Sequence, residues 1–418
     1  MYKIMPIDRV AVPPNYMYTE PEIALESKKD FVSFSPISGE SFGSNETCTI
    51  QINSSSALLD PSRSWLEYDV KLTMSNTSDS ATFSGTGSLV SAMGAVKVNL
   101  GGVQLENIER YNNLVSIEQR RVPNSYKNTL ARLEGRAQTS ALSGSTNKVN
   151  NGRRCHHAIR AGLFEGSKLV PLPWIRGGLE LALTVSSLET FLAANANSAC
   201  TAVKISNVRF IACMITPTAE YLKSFNQRLS EGYIAKIPLT LTKSYRFVPT
   251  TLTEQTRTVN TGFLKSLNSI TLSHRTSSAL TDATADSFVH HSGNCKSYSF
   301  RIGSDKYPRN FDINCQPAVA SGTPSHSGQM MDLCSIDNSY ALMDLASENE
   351  SNVDNVLKYD FRYHQGSFGS GVAVEDGSVD INLNYNSDPS SYTADLYVRY
   401  DAIVEVSATS VSLNSRSF

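Results

Sequence analysis

Short segments in which apolar and polar residues strictly alternate recur along most of the chain. A period of two marks a strand with one buried and one wet face. In Gly177 to Val185, GGLELALTV, a two-glycine turn precedes Leu179, Leu181, Leu183 and Val185, which alternate with Glu180, Ala182 and Thr184. WLEYDVKLTM sets Leu66, Tyr68, Val70, Leu72 and Met74 against Glu67, Asp69, Lys71 and Thr73. AVKVNLGGVQL reads as a hairpin, with Val96, Val98 and Leu100 leading into a Gly101-Gly102 turn. LYVRYDAIVEV alternates Leu396, Val398, Tyr400, Ala402, Val404 and Val406 with a polar face of Arg399, Asp401 and Glu405. In VKISNVRFIACMI the phase slips at Asn207, which predicts a bulge.

Helical patterns are few. In TPTAEYLKSFNQRLSEG, Thr216 can cap, Pro217 fits the first helical position and Glu220 suits the positive end of the dipole. Leu222, Phe225 and Leu229 form one stripe, Gly232 ends the helix, and the helix is placed over Thr218 to Ser230. A second helix is predicted from Gln329 to Ala346, with Met330, Leu333, Ile336, Tyr340 and Met343 on one face. Shorter helical patterns lie between Leu105 and Leu133, marked by Ile108 and Tyr111, then by Tyr126, Leu130 and Leu133.

The strand pattern repeats itself. GSVDINLNY at Gly377 to Tyr385 has Val379, Ile381, Leu383 and Tyr385 in the phase of GGLELALTV, about 200 residues further on. Val70 and Leu72 match Ile270 and Leu272, Leu100 before Gly101 matches Ile302 before Gly303, and VRF at Val208 matches VRY at Val398. Four pairs in the same order at a nearly constant offset predict an internal duplication. The period is far too long for a solenoid repeat, so each copy must be a whole domain. Each half holds enough short alternating strands for a sandwich of two antiparallel sheets, and the expected fold is all-β: two tandem eight-stranded jelly rolls. An immunoglobulin-type sandwich is the runner-up. It is disfavoured because such domains run to about 100 residues around a Cys…Trp…Cys pattern, whereas Trp65 and Trp174 are the chain's only tryptophans. The division expected is an N-terminal arm at 1–30, a first roll with the junction helix at 31–231 and a second roll at 232–418. The arm is placed outside both sandwiches because Pro6, Pro13, Pro14 and Pro21 interrupt it.

Composition narrows the function. At 418 residues the chain exceeds one ordinary core. With 40% apolar and 18% charged residues it is neither disordered nor membrane-embedded. A net charge of −2 argues against bulk attraction to nucleic acid. The N-terminal stretch lacks the apolar core and cleavage site of a secretory signal, so synthesis and folding inside the cell are expected. No run approaches the roughly 18 apolar residues of a spanning helix. Seven scattered cysteines with no C-x-x-C read as reduced, mostly buried thiols. The sequons at Asn45, Asn53, Asn76 and Asn349 then carry no weight.

Catalytic templates fail. There is no G-x-S-x-G, no phosphate-binding G-x-x-x-x-G-K-[ST] and no H-E-x-x-H, and the glycine runs at Gly85 and Gly369 lack the third glycine of a dinucleotide site. Cys155 and His157 share a strand face but supply only two of the ligands a metal needs. His156, His290 and His291 neighbour other histidines on opposite strand faces, and His274, His326 and His364 stand alone. All read as ordinary loop and surface histidines, so alanine at His157, His274 or His364 is expected to leave folding nearly unchanged. The densest basic patch, Arg153, Arg154 and Arg160 with Arg120, Arg121, Arg132 and Arg136 upstream, reads as a solvated loop in preference to contact with an acidic neighbour. No catalytic residue, cofactor, metal ligand or small-molecule substrate is assigned.

Several stretches resemble a known family. LVPLPWIRGGLELAL at Leu169 to Leu183 resembles the lead into a late strand of the first roll in double-jelly-roll major capsid proteins. NVRFIACMITPTAEYLKSF resembles that roll's last strand and the helix joining it to the second. SFRIGSDKYP at Ser299 to Pro308 and the closing LYVRYDAIVEV are similar to second-roll elements. The likeness is to small eukaryotic DNA virus members of the Polinton-like type. It implies a structural subunit, not an enzyme, that forms pseudo-hexameric homotrimers tiling the icosahedral capsid of a virion. Partners implied are further copies of itself, minor capsid and penton proteins, and an internal membrane or genome met by the N-terminal arm. The chain has room only for modest loop insertions, so short outer towers are expected. A carbohydrate-binding or hydrolytic β-sandwich protein is the competing class, which an export signal would favour.

Overall fold

In the computed structural model the alternating segments pair into two sandwiches of the same strand order. It describes residues 27–74, 80–83, 89–120, 133–134, 141–143, 153–195, 200–282, 287, 290, 295–314, 356–362 and 367–416. The first roll contains β1 (Ser27–Phe34), β2 (Thr47–Ile52), β3 (Leu58–Met74), β4 (Met93–Leu100), β5 (Val103–Glu109), helix α1 (Tyr111–Arg120), β6 (Arg153–His157), the short helix α2 (Gly162–Glu165), β7 (Leu179–Val185) and β8 (Cys200–Pro217). After helix α3 (Ala219–Ser230), the second contains β9 (Ala235–Phe247), β10 (Glu254–Asn260), β11 (Leu264–Thr276), β12 (Cys295–Ile302), β13 (Asp305–Tyr307), β14 (Val356–Asp360), β15 (Ser378–Tyr385) and β16 (Tyr392–Val406). A last strand, β17 (Val411–Asn414), pairs with the end of β16. In each roll one sheet takes the first, eighth, third and sixth strands and the other takes the second, seventh, fourth and fifth. That is the jelly-roll order, and the fold is two jelly rolls in tandem.

All four sequence echoes fall on equivalent strands. GGLELALTV is β7 and GSVDINLNY is β15, the seventh strand of each roll, and Leu181 and Ile381 are both fully buried. Val70 and Leu72 lie on β3, and Ile270 and Leu272 on β11. Gly101 and Gly303 turn the β4–β5 and β12–β13 hairpins, both at φ 58, a left-handed conformation that glycine adopts without strain. Val208 and Val398 lie on the two eighth strands. The phase slip in β8 is a bulge between Ser206 and Arg209, where Asn207 has φ 50 and its side-chain amide donates to Asp69 at 2.8 Å.

The junction helix lies where the sequence places it, over Ala219–Ser230, but its cap is not the residue expected. Thr216 and Pro217 stay in β8, opposite Lys28 and Ser27 of β1, because the strand ladder holds them extended. The cap is Thr218, whose hydroxyl accepts the Tyr221 N–H at 3.3 Å. The other end behaves as expected: Gly232 has φ 92, its N–H bonds the Leu229 carbonyl, and the Tyr233 N–H bonds that of Arg228. Leu229 is buried and the Phe225 ring lies 4.3 Å from that of Trp174, so the stripe faces the first roll. Leu105 and Ile108 belong to β5, not to a helix, because β5 pairs along β4, and α1 begins only at Tyr111. Ser27 to Asp30, assigned by sequence to the arm, pair with β8 as the start of β1. The helix predicted from Gln329 to Ala346, with Tyr126 and Leu130, lies outside the described residues.

The rolls are joined edge to edge. β5 meets β9 in parallel through Asn107 and Lys243, so one continuous sheet runs through eight strands, β14-β11-β16-β9-β5-β4-β7-β2, across both. Val411 of β17 rests on the Gly101 turn of the first roll, where a Cβ would come within 2.7 Å of its methyl group. Among the described residues no helix is long and apolar enough to cross a membrane.

Candidate functional site: the seam between the rolls

The polar face of β16 is only partly wet. Arg399 and Glu405 stay partly exposed, as alternation predicts, whereas Asp401, with Asp395 and Tyr397 earlier on the same face, is buried as deeply as the apolar residues between them. Around Asp395, Tyr397 and Arg399 the first roll supplies partners from Arg110, α1 and α2, whereas Asp401 is met by residues of the second roll. Tyr111 to Ile117 are all buried, including Asn112, Asn113 and Ser116, so α1 has no wet side over that length. A helix buried all round must satisfy its polar groups inside the protein. The Asn112 amide donates to Ser186 at 3.1 Å, and that of Asn113 reaches Asp395 at 3.3 Å across the seam.

Glu106, buried on β5, is the tightest of these crossings. One carboxylate oxygen accepts the Thr242 N–H of β9 at 2.6 Å and the other the Gly162 N–H of α2 at 2.7 Å. Burial outweighs both bonds and pushes the carboxyl up to about 8. Only glycine fits at 162, because a Cβ there would lie 2.1 Å from the Thr240 carbonyl oxygen. Beside it Glu118 of α1 is shared by Arg160 at 3.3 Å and by Arg399 of β16, which also approaches Glu165 at 3.7 Å. Burial raises the Glu165 carboxyl. These side chains, with Thr240, Asn268 and Lys358, line a polar cavity of about 280 Å³. Asp401 is saturated by Thr240 at 2.8 Å, Asn268 at 2.6 Å, Ser266 at 2.8 Å and the Gly369 N–H at 2.7 Å. The Tyr397 hydroxyl donates to the Arg110 carbonyl at 3.0 Å, from the second roll to the first.

The histidines depart from expectation. His157, His274 and His290 are buried, not on the surface. His157 lies between the Tyr111 hydroxyl at 2.6 Å and Glu134 at 3.2 Å, while the Tyr111 oxygen also accepts the Arg160 N–H at 2.7 Å. Carboxylate, imidazole and hydroxyl stand in the order of a proton relay, but Tyr111 is 0% and His157 1% exposed, so no substrate reaches them. His274 meets the Tyr385 hydroxyl at 3.1 Å and His290 the Ser273 hydroxyl at 2.5 Å. His156 pairs with Glu67 at 3.1 Å nearer the surface. His291, His326 and His364 lie outside the described residues. Cys155 sits beside His157 on β6 but is a buried thiol pushed up by desolvation; all five described cysteines are free and buried. Among the described residues no three His, Cys, Asp or Glu side chains are grouped to hold a metal ion. The basic patch divides: Arg154 pairs with Asp69 at 3.1 Å on the surface, whereas Arg160 turns into the seam. Arg121, Arg132 and Arg136 lie outside the described residues.

Sequence reading missed Glu106, Asn113, Glu118 and Asp395, since a polar residue on an alternating strand carries no mark of what will cover it. The one available signal was the pair Asn112-Asn113 inside an otherwise apolar helical turn. Chemically the seam is a set of buried polar contacts that tie β5, Arg110 and α1 of the first roll to β9 and β16 of the second.

No protein-family model and no curated protein matches the chain by sequence. Solved structures do match in fold. PBCV-1 VP54, fitted into a reconstruction of the virophage Sputnik, superposes with a TM-score of 0.66 at 8% identity, covering 94% of this chain and 98% of that one. A structure of the Sputnik virophage gives 0.57 at 12% identity over 100% and 95%, and the Faustovirus major capsid protein 0.54 at 10% over 94% and 92%.

Proposed function

We propose that this chain is a major capsid protein, the repeated structural subunit of an icosahedral virus shell. The observation that carries the reading is the double jelly roll itself, shared from end to end with the Faustovirus major capsid protein. A shell subunit needs rigid walls, and the buried seam supplies that rigidity by fixing one roll against the other. The chain acts through its surfaces, as a homotrimer whose six rolls approximate a hexagon and whose neighbours on the shell are other such trimers, minor capsid proteins and penton proteins. In this reading it resides in the virion, carries out no catalysis and binds no metal or cofactor. The N-terminal arm faces the shell interior, where a membrane or the genome lies.

Light scattering of the purified chain tests this. The expected mass is about three times 45.7 kDa, unchanged on dilution to micromolar concentration because obligate interfaces bury large apolar areas. A stable monomer with no larger species would overturn the shell reading.

A further inference from the structure

Three guanidinium groups surround one carboxylate at the end of the seam where β5 runs into α1. Arg275 is buried and donates to Asp395, as Asn113 does from α1. Arg110, from the first roll, and Arg246, from the second, each bring Nε to 3.6 Å from the same Asp395 oxygen, Oδ1. That distance is too long for a hydrogen bond. Among the described residues neither Arg110 nor Arg246 forms an ion pair with any other acid, and neither guanidinium donates a hydrogen bond. Their side chains are 31% and 32% exposed. Burial, with repulsion from Arg110 and Arg275, holds the Arg246 guanidinium below its ordinary range despite Asp395. The positive end of α1 adds to the field at the same place.

We propose that Arg110 and Arg246 form a binding site for a tetrahedral oxyanion, phosphate or sulfate, at this mouth of the seam. Two Nε atoms that share one neighbour at 3.6 Å are at most about 7 Å apart, a span one such anion bridges by accepting from both forks. The anion balances the charge that Asp395 leaves over, and it ties the two rolls together from outside as Asp395 does from inside. The site does not depend on the shell reading. The same chemistry reaches it as a free ion or as a phosphate or sulfate group carried on a polymer.

Calorimetric titration of the full chain at fixed ionic strength, with inorganic phosphate, inorganic sulfate and dextran sulfate, tests the proposal. Saturable binding of an inorganic ion is expected, weakened at least tenfold by Arg246→Gln. Asp395→Asn removes the internal competitor and should tighten binding at least threefold. If that variant does not fold, Arg110→Lys, which keeps the charge but loses the fork, should weaken binding several-fold. Tighter binding of the polymer that Arg246→Gln abolishes supports the site and assigns the anion to a polymer. Equal affinity per anionic group supports it and assigns a free ion. No saturation by either inorganic ion, or equal affinity in wild type and Arg246→Gln, would overturn it.

Discussion

Glu106 shows how one side chain couples the two sandwiches to the solution around them. Folded, its carboxyl keeps a proton up to about 8; unfolded, it loses it near the ordinary 4.5. Between those values the folded chain binds more protons than the unfolded one, so this residue's contribution to stability falls as pH rises, by up to about 1.4 kcal/mol per unit. Thermal melts from about pH 5 to about pH 8 should show that decline in wild type and a flatter profile in Glu106→Gln. The variant should also be less stable throughout, because an amide nitrogen cannot accept either backbone N–H. His157 supports a second prediction. Alanine there strips Tyr111 and Glu134 of a buried partner, which costs about 1–3 kcal/mol. Urea unfolding of His157→Ala should show a lower midpoint, contrary to the neutral outcome expected of a surface histidine.

At the level of elements, β7 and β15 were legible because each buries one face and wets the other, so their composition is their position. Leu181→Asp and Ile381→Asp each place a charge on the buried face, at a cost of at least several kcal/mol. Both should abolish soluble protein, measured as yield after expression, and the symmetry of the loss would reflect equivalent places in the two rolls. The Asn207 bulge was legible for the same reason, as a break in phase. β16 was not. Its alternation is as clear as that of β7, yet part of its polar face is buried, because what covers that part is set by a segment nearly 300 residues away in sequence. The cap of α3 was misassigned by local rules as well: Thr216 and Pro217 suit a helix start, but pairing with β1 holds them in the strand and the cap is Thr218.

For the whole molecule, the duplication was readable from four short echoes, whereas the contact between the copies left no periodic trace. Under the proposed function, deleting residues 1 to about 25 should leave the proposed trimer folded and impair only its further assembly, since the described sandwiches begin at Ser27. Size-exclusion chromatography and electron microscopy of the truncated protein check both halves of that statement; loss of soluble trimer would mean that the arm completes a core. The joint between the rolls has a consequence of its own. It sets the fifth strand of one roll beside the first strand of the next, β5 against β9, so its two sides are unlike. Among the described residues each chain still presents the two complementary halves of that joint: a first-strand edge at β1 and a fifth-strand edge at β13. Contacts between unlike sides propagate in one direction until the accumulated rotation returns to its start, and about sixty degrees per roll closes after six rolls. In the six-roll ring that the proposed trimer would form, tandem duplication makes every second joint covalent and leaves the alternate ones to be found by collision between chains.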